Sequence, residues 1–230
     1  MKPENSSSSF VFKLREQIQQ SSARERRIGA EAYMRNQFIF IGVDTATRRQ
    51  VFKLFLANNQ KPPYEELATV INEMWLSERE LQYCAIELGA LYKKQWQLSF
   101  IETIEACIVA KSWWDTVDHI ASEWTGPYFR LFPDQVKPVT GRWNRSENIW
   151  LQRSSLLFQK KYKLQTDTKL FAKYILNCAA SNEFFIQKGI GWALREYAKT
   201  NPGWVKAFVV KHTLKPLSRR EALKNLQQSV

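Results

Sequence analysis

The chain has 230 residues, room for one large domain or two small ones, and its 44% hydrophobic content can fill a substantial core. Its 34 Lys and Arg against 22 Asp and Glu leave a net charge of +12, a surplus that suits nucleic acid, anionic membranes or acidic partners. No stretch approaches the roughly 20 apolar residues of a membrane span, and no basic-then-apolar leader opens the chain, so a cytoplasmic protein that does not enter membranes is expected.

Only 8 Gly and 8 Pro punctuate the sequence, and long windows carry apolar residues at i, i+3, i+4 and i+7. The polar run Asn5–Ser9 belongs to a flexible N-terminus expected over residues 1–9. Phe12, Leu14 and Ile18 then mark a first helix. A second closes over Ala32 to Phe38 and ends near Gly42. Val51, Leu54, Phe55 and Leu56 place a third, which Pro62-Pro63 stops. Leu67, Val70, Ile71, Met74 and Trp75 form a fourth stripe. Period-2 strands and Asn-Gly or Asp-Gly hairpin turns are missing, so the class expected is all-α. Cys84, Cys107 and Cys178 lack Cys-x-x-Cys spacing and read as reduced core thiols. His119 and His212 have no neighbours at ligand spacing, so neither a metal nor another cofactor is expected.

Self-comparison adds a period. Leu81-Gln82-Tyr83, Trp150-Leu151-Gln152-Arg153 and Phe185-Ile186-Gln187-Lys188 open similar amphipathic helices, their glutamines 70 and 35 residues apart. Tyr83, Asp118, Arg153 and Lys188 then become one position repeated every 35 residues, with Val117 standing where a glutamine would fall. A period of this size means stacked helical pairs. The second helices of the pairs are predicted over Leu98–Val109, Gln135–Trp143, Thr168–Cys178 and Trp204–Lys211. The Trp-x2-Leu-Gly-x2-Tyr pattern of tetratricopeptide arrays is absent, which favours HEAT-like pairs in a single domain over residues 1–230.

The segment that carries chemistry is Lys111-Ser112-Trp113-Trp114-Asp115-Thr116-Val117-Asp118. Adjacent helical residues point about 100° apart, so Trp113 and Trp114 cannot share one core stripe. Trp114 and Asp118 are i and i+4 and share a face. A carboxylate beside an indole can hold a cationic centre. Taken singly, Trp114, Asp115, Asp118, Arg153, Trp192, Arg195 and Glu196 are each more often structural than functional; position lifts them, since Asp118 and Arg153 are repeat equivalents and Trp192 sits one turn past the next equivalent, Lys188. Glycine loops for phosphate, Gly-x-Ser-x-Gly elbows and His-Glu-x-x-His motifs are absent. Arg48-Arg49, Arg142-Trp143, Lys160-Lys161-Tyr162-Lys163 and Arg219-Arg220 set basic residues along the chain, several beside aromatics, as a phosphate-tracking surface would.

Several blocks together resemble the bacterial HEAT-like-repeat alkylpurine DNA glycosylases of the DNA alkylation repair (AlkD-type) family. They are Ala32-Tyr33-Met34, Phe40-Ile41-Gly42-Val43 with Arg48-Arg49, Ser112 to Asp118, Asn148-Ile149-Trp150-Leu151-Gln152-Arg153, Glu183 to Tyr197 and Leu217 to Ala222. The resemblance implies a curved α-solenoid of HEAT-like helical pairs that grips duplex DNA. It implies a monofunctional enzyme, acting as a monomer near the nucleoid. The reaction implied is hydrolysis of the N-glycosidic bond of N3- and N7-alkylated purines, with no metal and no base-flipping pocket. It assigns the chemistry and the lesion's sugar to Asp118, Trp114 and Trp192. Contacts to DNA fall to Arg153, Lys188, Arg195, Tyr33, Arg48 and Arg49. Thr45-Ala46-Thr47 departs from the Thr-Pro-x turn expected before the arginine pair. The competing class is a non-catalytic HEAT-like module that binds DNA or a protein.

Overall fold

A computed structural model describes residues 6–226. Within them the regular structure is entirely helical, in keeping with the all-α expectation. The single domain expected over the chain divides by its internal contacts into two compact units, one running to Lys111 and the other from Ser112.

The first unit holds α1 (Ser6–Gln19), α2 (Arg24–Tyr33), α3 (Thr45–Asn58), α4 (Tyr64–Leu76), α5 (Arg79–Leu91) and α6 (Phe100–Val109). Of the N-terminal segment expected to be flexible, residues 1–5 lie outside the described residues and Ser6–Ser9 already belong to α1. α1 packs on α3 and α4 through Phe10, Val11, Leu14 and Ile18, while Phe12, expected on that stripe, is 62% exposed. One helical step separates the two faces, and Val11 fills the core position instead. α2 stops at Tyr33, short of Phe38, because Arg35 and Asn36 turn into left-handed backbone. α3 buries Phe52 and Phe55 but leaves Leu54 exposed, another one-step displacement of the expected stripe. Asp44 caps α3 by accepting from the Thr47 amide and hydroxyl, so the Thr-Ala-Thr turn forms without a proline. The α4 stripe from Leu67 to Trp75 is buried as expected.

Two buried charges organise this unit. The Glu80 carboxylate accepts from the amides of Ile41, Gly42 and Val43 and so fixes the α2–α3 connection. Gly42 sits there at φ 99°, where a Cβ would meet the Ala23 carbonyl oxygen at 2.6 Å. Arg79, fully buried, lies 3.8 Å from the Phe38 ring centre and donates to Gln82 Oε1 and the Lys111 carbonyl.

The second unit holds α7 (Trp114–Ile120), α8 (Gly126–Leu131), α9 (Gly141–Asn144), α10 (Ile149–Leu157), α11 (Thr168–Cys178), α12 (Phe184–Ala198), α13 (Pro202–Lys211) and α14 (Pro216–Leu223). A π-helical turn, Ala121–Thr125, joins α7 to α8, and a second, Val136–Thr140, leads into α9. Pro127 follows the first and Pro138 lies inside the second. Proline has no amide to give and crowds the carbonyl four residues back, which a wider turn relieves. The single helix predicted over Gln135–Trp143 is therefore broken into this π turn and α9. The helix predicted over Thr168–Cys178 matches α11 in both bounds. Trp124, Tyr128, Phe129 and Trp143 form the aromatic centre of the core.

The 35-residue period has a physical basis. Gln82 donates to the Trp75 carbonyl, Gln152 to Ser146 and Gln187 to Ser181. Each glutamine thus reaches back past the start of its own helix and ties down the preceding turn. Such a bond serves any helical pair built the same way, which is why the residue recurs.

Candidate functional site

α7, α10 and α12 lie side by side in the second unit, α10 touching both of the others. Their repeat-equivalent positions meet. Arg153 on α10 closes a two-point pair with Asp118 on α7, Nε to Oδ1 and Nη2 to Oδ2, both at 2.7 Å. Its remaining Nη1 donates to the Phe185 carbonyl at the start of α12. Arg153 is 2% exposed and Asp118 8%. Arg153 can lie under α12 because Gly189 has no side chain; a Cβ there would come within 3.2 Å of Nη1.

Arg153, expected at a phosphate, is here engaged within the protein. Three of its five N–H donors go to protein oxygens, and the side chain is buried. Asp118 keeps capacity. A carboxylate has about four lone-pair sites, and a two-point guanidinium occupies only one on each oxygen.

Neither member of the tryptophan pair joins the deep core; both are half-buried. Trp113, the residue before α7, packs with Trp150 and Phe185, ring centres 5.8 and 5.0 Å away. Trp114 opens α7 one turn before Asp118.

Trp192 on α12 is ringed by cations: Arg153, Arg195 and Lys160 lie 5.8, 5.7 and 5.3 Å from its ring centre. Trp192, expected beside Trp114 at a cationic sugar, thus already has three cations about its ring. Lys160 is a site residue that the sequence reading noted only within a basic run.

Lys188 and Arg195 share one carboxylate, Glu221 on α14, at 2.9 and 2.8 Å. Burial pushes the Glu221 carboxyl up, but the two cations outweigh it and hold it below the usual glutamate range. Sequence reasoning missed Glu221, whose partners lie on another helix. In the first unit Tyr33 is 71% exposed. Arg49 has an exposed side chain beside Glu87. Arg48, expected at DNA, is 2% exposed, bonded to Glu87 and Cys84, and lies over the Tyr83 ring.

Burial raises the thiols, Cys84 to about 12 and Cys178 to about 11, and keeps them protonated and unreactive at neutral pH. Among the described residues no group of three or more His, Cys, Asp or Glu is placed to hold a metal ion. No helix among them is long and apolar enough to cross a membrane.

The fold and site define a basic, all-helical protein with a buried carboxylate–guanidinium pair, one turn from Trp114 and beside Trp192. The family model for DNA alkylation repair enzymes matches residues 14–226, and the chain belongs to that family. A solved structure described as a predicted DNA alkylation repair enzyme from Enterococcus faecalis is 33% identical, with 91% of this chain and 98% of that one covered at a TM-score of 0.83. No curated protein matches.

Proposed function

We propose that the protein is a monofunctional DNA glycosylase that releases cationic N3- and N7-alkylated purines from duplex DNA. It acts as a monomer in the cytoplasm, close to the nucleoid. The observation that carries this reading is the Asp118 carboxylate, fixed from one side by Arg153 and one turn from Trp114, within a family of DNA alkylation repair enzymes.

The chemistry asks little of the protein. An alkylated purine is already cationic. When its N-glycosidic bond breaks, the electron pair passes to the ring nitrogen and the base leaves neutral. Positive charge develops on the sugar, and Asp118 stabilises it there while its free lone pairs orient a water toward C1′. Water adds to C1′ and its proton passes through the carboxylate to solvent. Trp114 lines the sugar, and Trp192 carries Lys160, the cation that faces the backbone. Arg153 acts as a positioning residue.

The test is duplex DNA carrying one 7-methylguanine, with chromatography of the released base. Asp118→Asn is expected to slow single-turnover release by at least about 100-fold. Normal release by that variant removes Asp118 from the mechanism. A leaving group that departs neutral needs no general acid, and the site offers one carboxylate rather than an acid–base pair. Uracil, hypoxanthine and 1,N6-ethenoadenine are therefore expected to stay in the duplex; efficient release of any of them would require a base-reading pocket and refute this mechanism.

One observation favours a second reading. A carboxylate occupied by Arg153 on both oxygens is also what a non-catalytic DNA-binding or protein-interaction module would use as a structural pair. Absence of released base, with duplex binding retained, selects a DNA-binding module.

A further inference from the structure

A cleft of about 640 Å³ opens in the second unit, and Lys160 in its lining lies over the Trp192 ring. Lys160, Lys161 and Lys163 follow α10 along one wall, with Arg130 from α8 and Lys199 from beyond α12. Glu196 is the one carboxylate in the lining. Four of the five cations have a partner, Lys160 lying over the Trp192 ring. Lys199 pairs with Glu196 at 2.6 Å, Lys161 with Glu123, and Arg130 lies 4.5 Å from the Tyr162 ring centre. Among the described residues neither Lys160 nor Lys163 has a carboxylate partner. Like charges gathered on one concave wall repel, and an entering anion relieves that repulsion.

The wall is held in place. The Tyr162 hydroxyl donates to the Gly126 carbonyl at 2.8 Å and its ring packs edge-on against Phe158. Lys163 follows in left-handed backbone at φ 53°, a conformation that only firm surroundings maintain in a non-glycine residue.

The lining also decides which anion fits. Phe171 and Tyr197 reach the cleft, but Phe171 is 4% exposed and its ring is taken up by Tyr197 and Trp204. A base would find no open Phe171 face to stack on. An oxyanion finds two ammonium groups without a carboxylate partner, Lys160 and Lys163. Lys160 lies on the same indole as Arg153, so the cleft adjoins the Asp118–Arg153 pair.

We infer that this cleft is a phosphate site, seating the sugar–phosphate backbone of duplex DNA beside Asp118 through Lys160 and Lys163. The inference rests on the duplex-DNA reading above but not on base release.

It is tested by equilibrium binding of the full chain to an undamaged duplex across a salt titration. Each phosphate contact contributes about 0.9 to the slope of log K against log salt. Lys163→Ala is expected to flatten that slope by about one and Lys160→Ala/Lys163→Ala by about two, with Lys163→Arg restoring the wild-type value. Lys206→Ala, on α13 and outside the cleft lining, is the control for general charge. An unchanged slope in the double variant, or an equal loss with Lys206→Ala, overturns the assignment. So does saturable binding of inorganic phosphate, by calorimetry, that disappears in the double variant while its duplex slope stays at the wild-type value. Loss of base release with duplex binding intact would remove only the glycosylase reading.

Discussion

Arg153 shows how one residue changes meaning between chain and fold. Its Nε and Nη2 hold Asp118 and its Nη1 holds the start of α12. Removing one member of a buried pair strands the other, at a cost of about 3–5 kcal/mol. Arg153→Ala is therefore expected to lower stability by about 3 kcal/mol, with base release lost and the salt dependence of duplex binding unaltered. Arg153→Lys is expected to rescue little, since an ammonium cannot meet both carboxylate oxygens in the plane of a guanidinium. Chemical denaturation together with a salt titration checks this. A flattened salt slope at full stability would return Arg153 to phosphate.

At the scale of elements, α12 is held by what it lacks as much as by what it carries. α14 packs closely along α12 at Gly191, where a Cβ would meet Glu221 Cβ at 2.3 Å and the Ser218 carbonyl at 3.0 Å. Those atoms belong to the segment that brings Glu221 to Lys188 and Arg195. Gly191→Ala gains some helix propensity but must push α14 away. Overpacking of this kind costs about 1–3 kcal/mol, and a net loss of about 2 kcal/mol is expected. The midpoint of urea unfolding should fall with an unchanged m-value. Stability equal to wild type would mean that the α12–α14 contact yields freely.

Across the whole molecule, acid acts on three carboxylates set in basic surroundings. Burial pushes each of Glu78, Glu87 and Glu221 up, and cationic neighbours more than reverse it: Arg15 for Glu78, Arg48 and Arg49 for Glu87, Lys188 and Arg195 for Glu221. Each folded value lies below the unfolded one, so the unfolded chain binds protons first as pH falls. The stabilisation is fully present above the ordinary glutamate range, near about 4.3, and is lost as pH drops through the depressed folded values. With a net charge of +12, protonating carboxylates also adds to self-repulsion. Stability from urea titration is expected to hold between pH 7 and about 5 and to fall steeply below about 4. A rise in stability over that acid range would contradict these pairings.

Much of this was readable in the chain because it depends on local order. Apolar spacing placed α4 and α11, and the recurring glutamine marked a bond that α5, α10 and α12 each make with the preceding turn. The i, i+4 relation of Trp114 and Asp118 is likewise a property of one helix. One-residue displacements such as Phe12 and Leu54 escaped, because flanking apolar residues compete for the same core position. The π turns escaped because a proline's effect depends on whether the surrounding packing holds the helix together or lets it end. Which partner a charge takes was beyond the sequence altogether. Arg153 and Arg48 are basic residues in motifs that suggest phosphate, yet Asp118 lies 35 residues away and Glu87 lies 39, on helices whose docking brings the carboxylates into reach. Glu221 and Lys160 enter the site in the same way. The sequence determined the helices, their period and the residue types that could do chemistry. Only the tertiary structure decided which charges neutralise one another and which stay open to a ligand, because a charge's partner is set by distance in space and by burial, neither of which spacing along a chain contains.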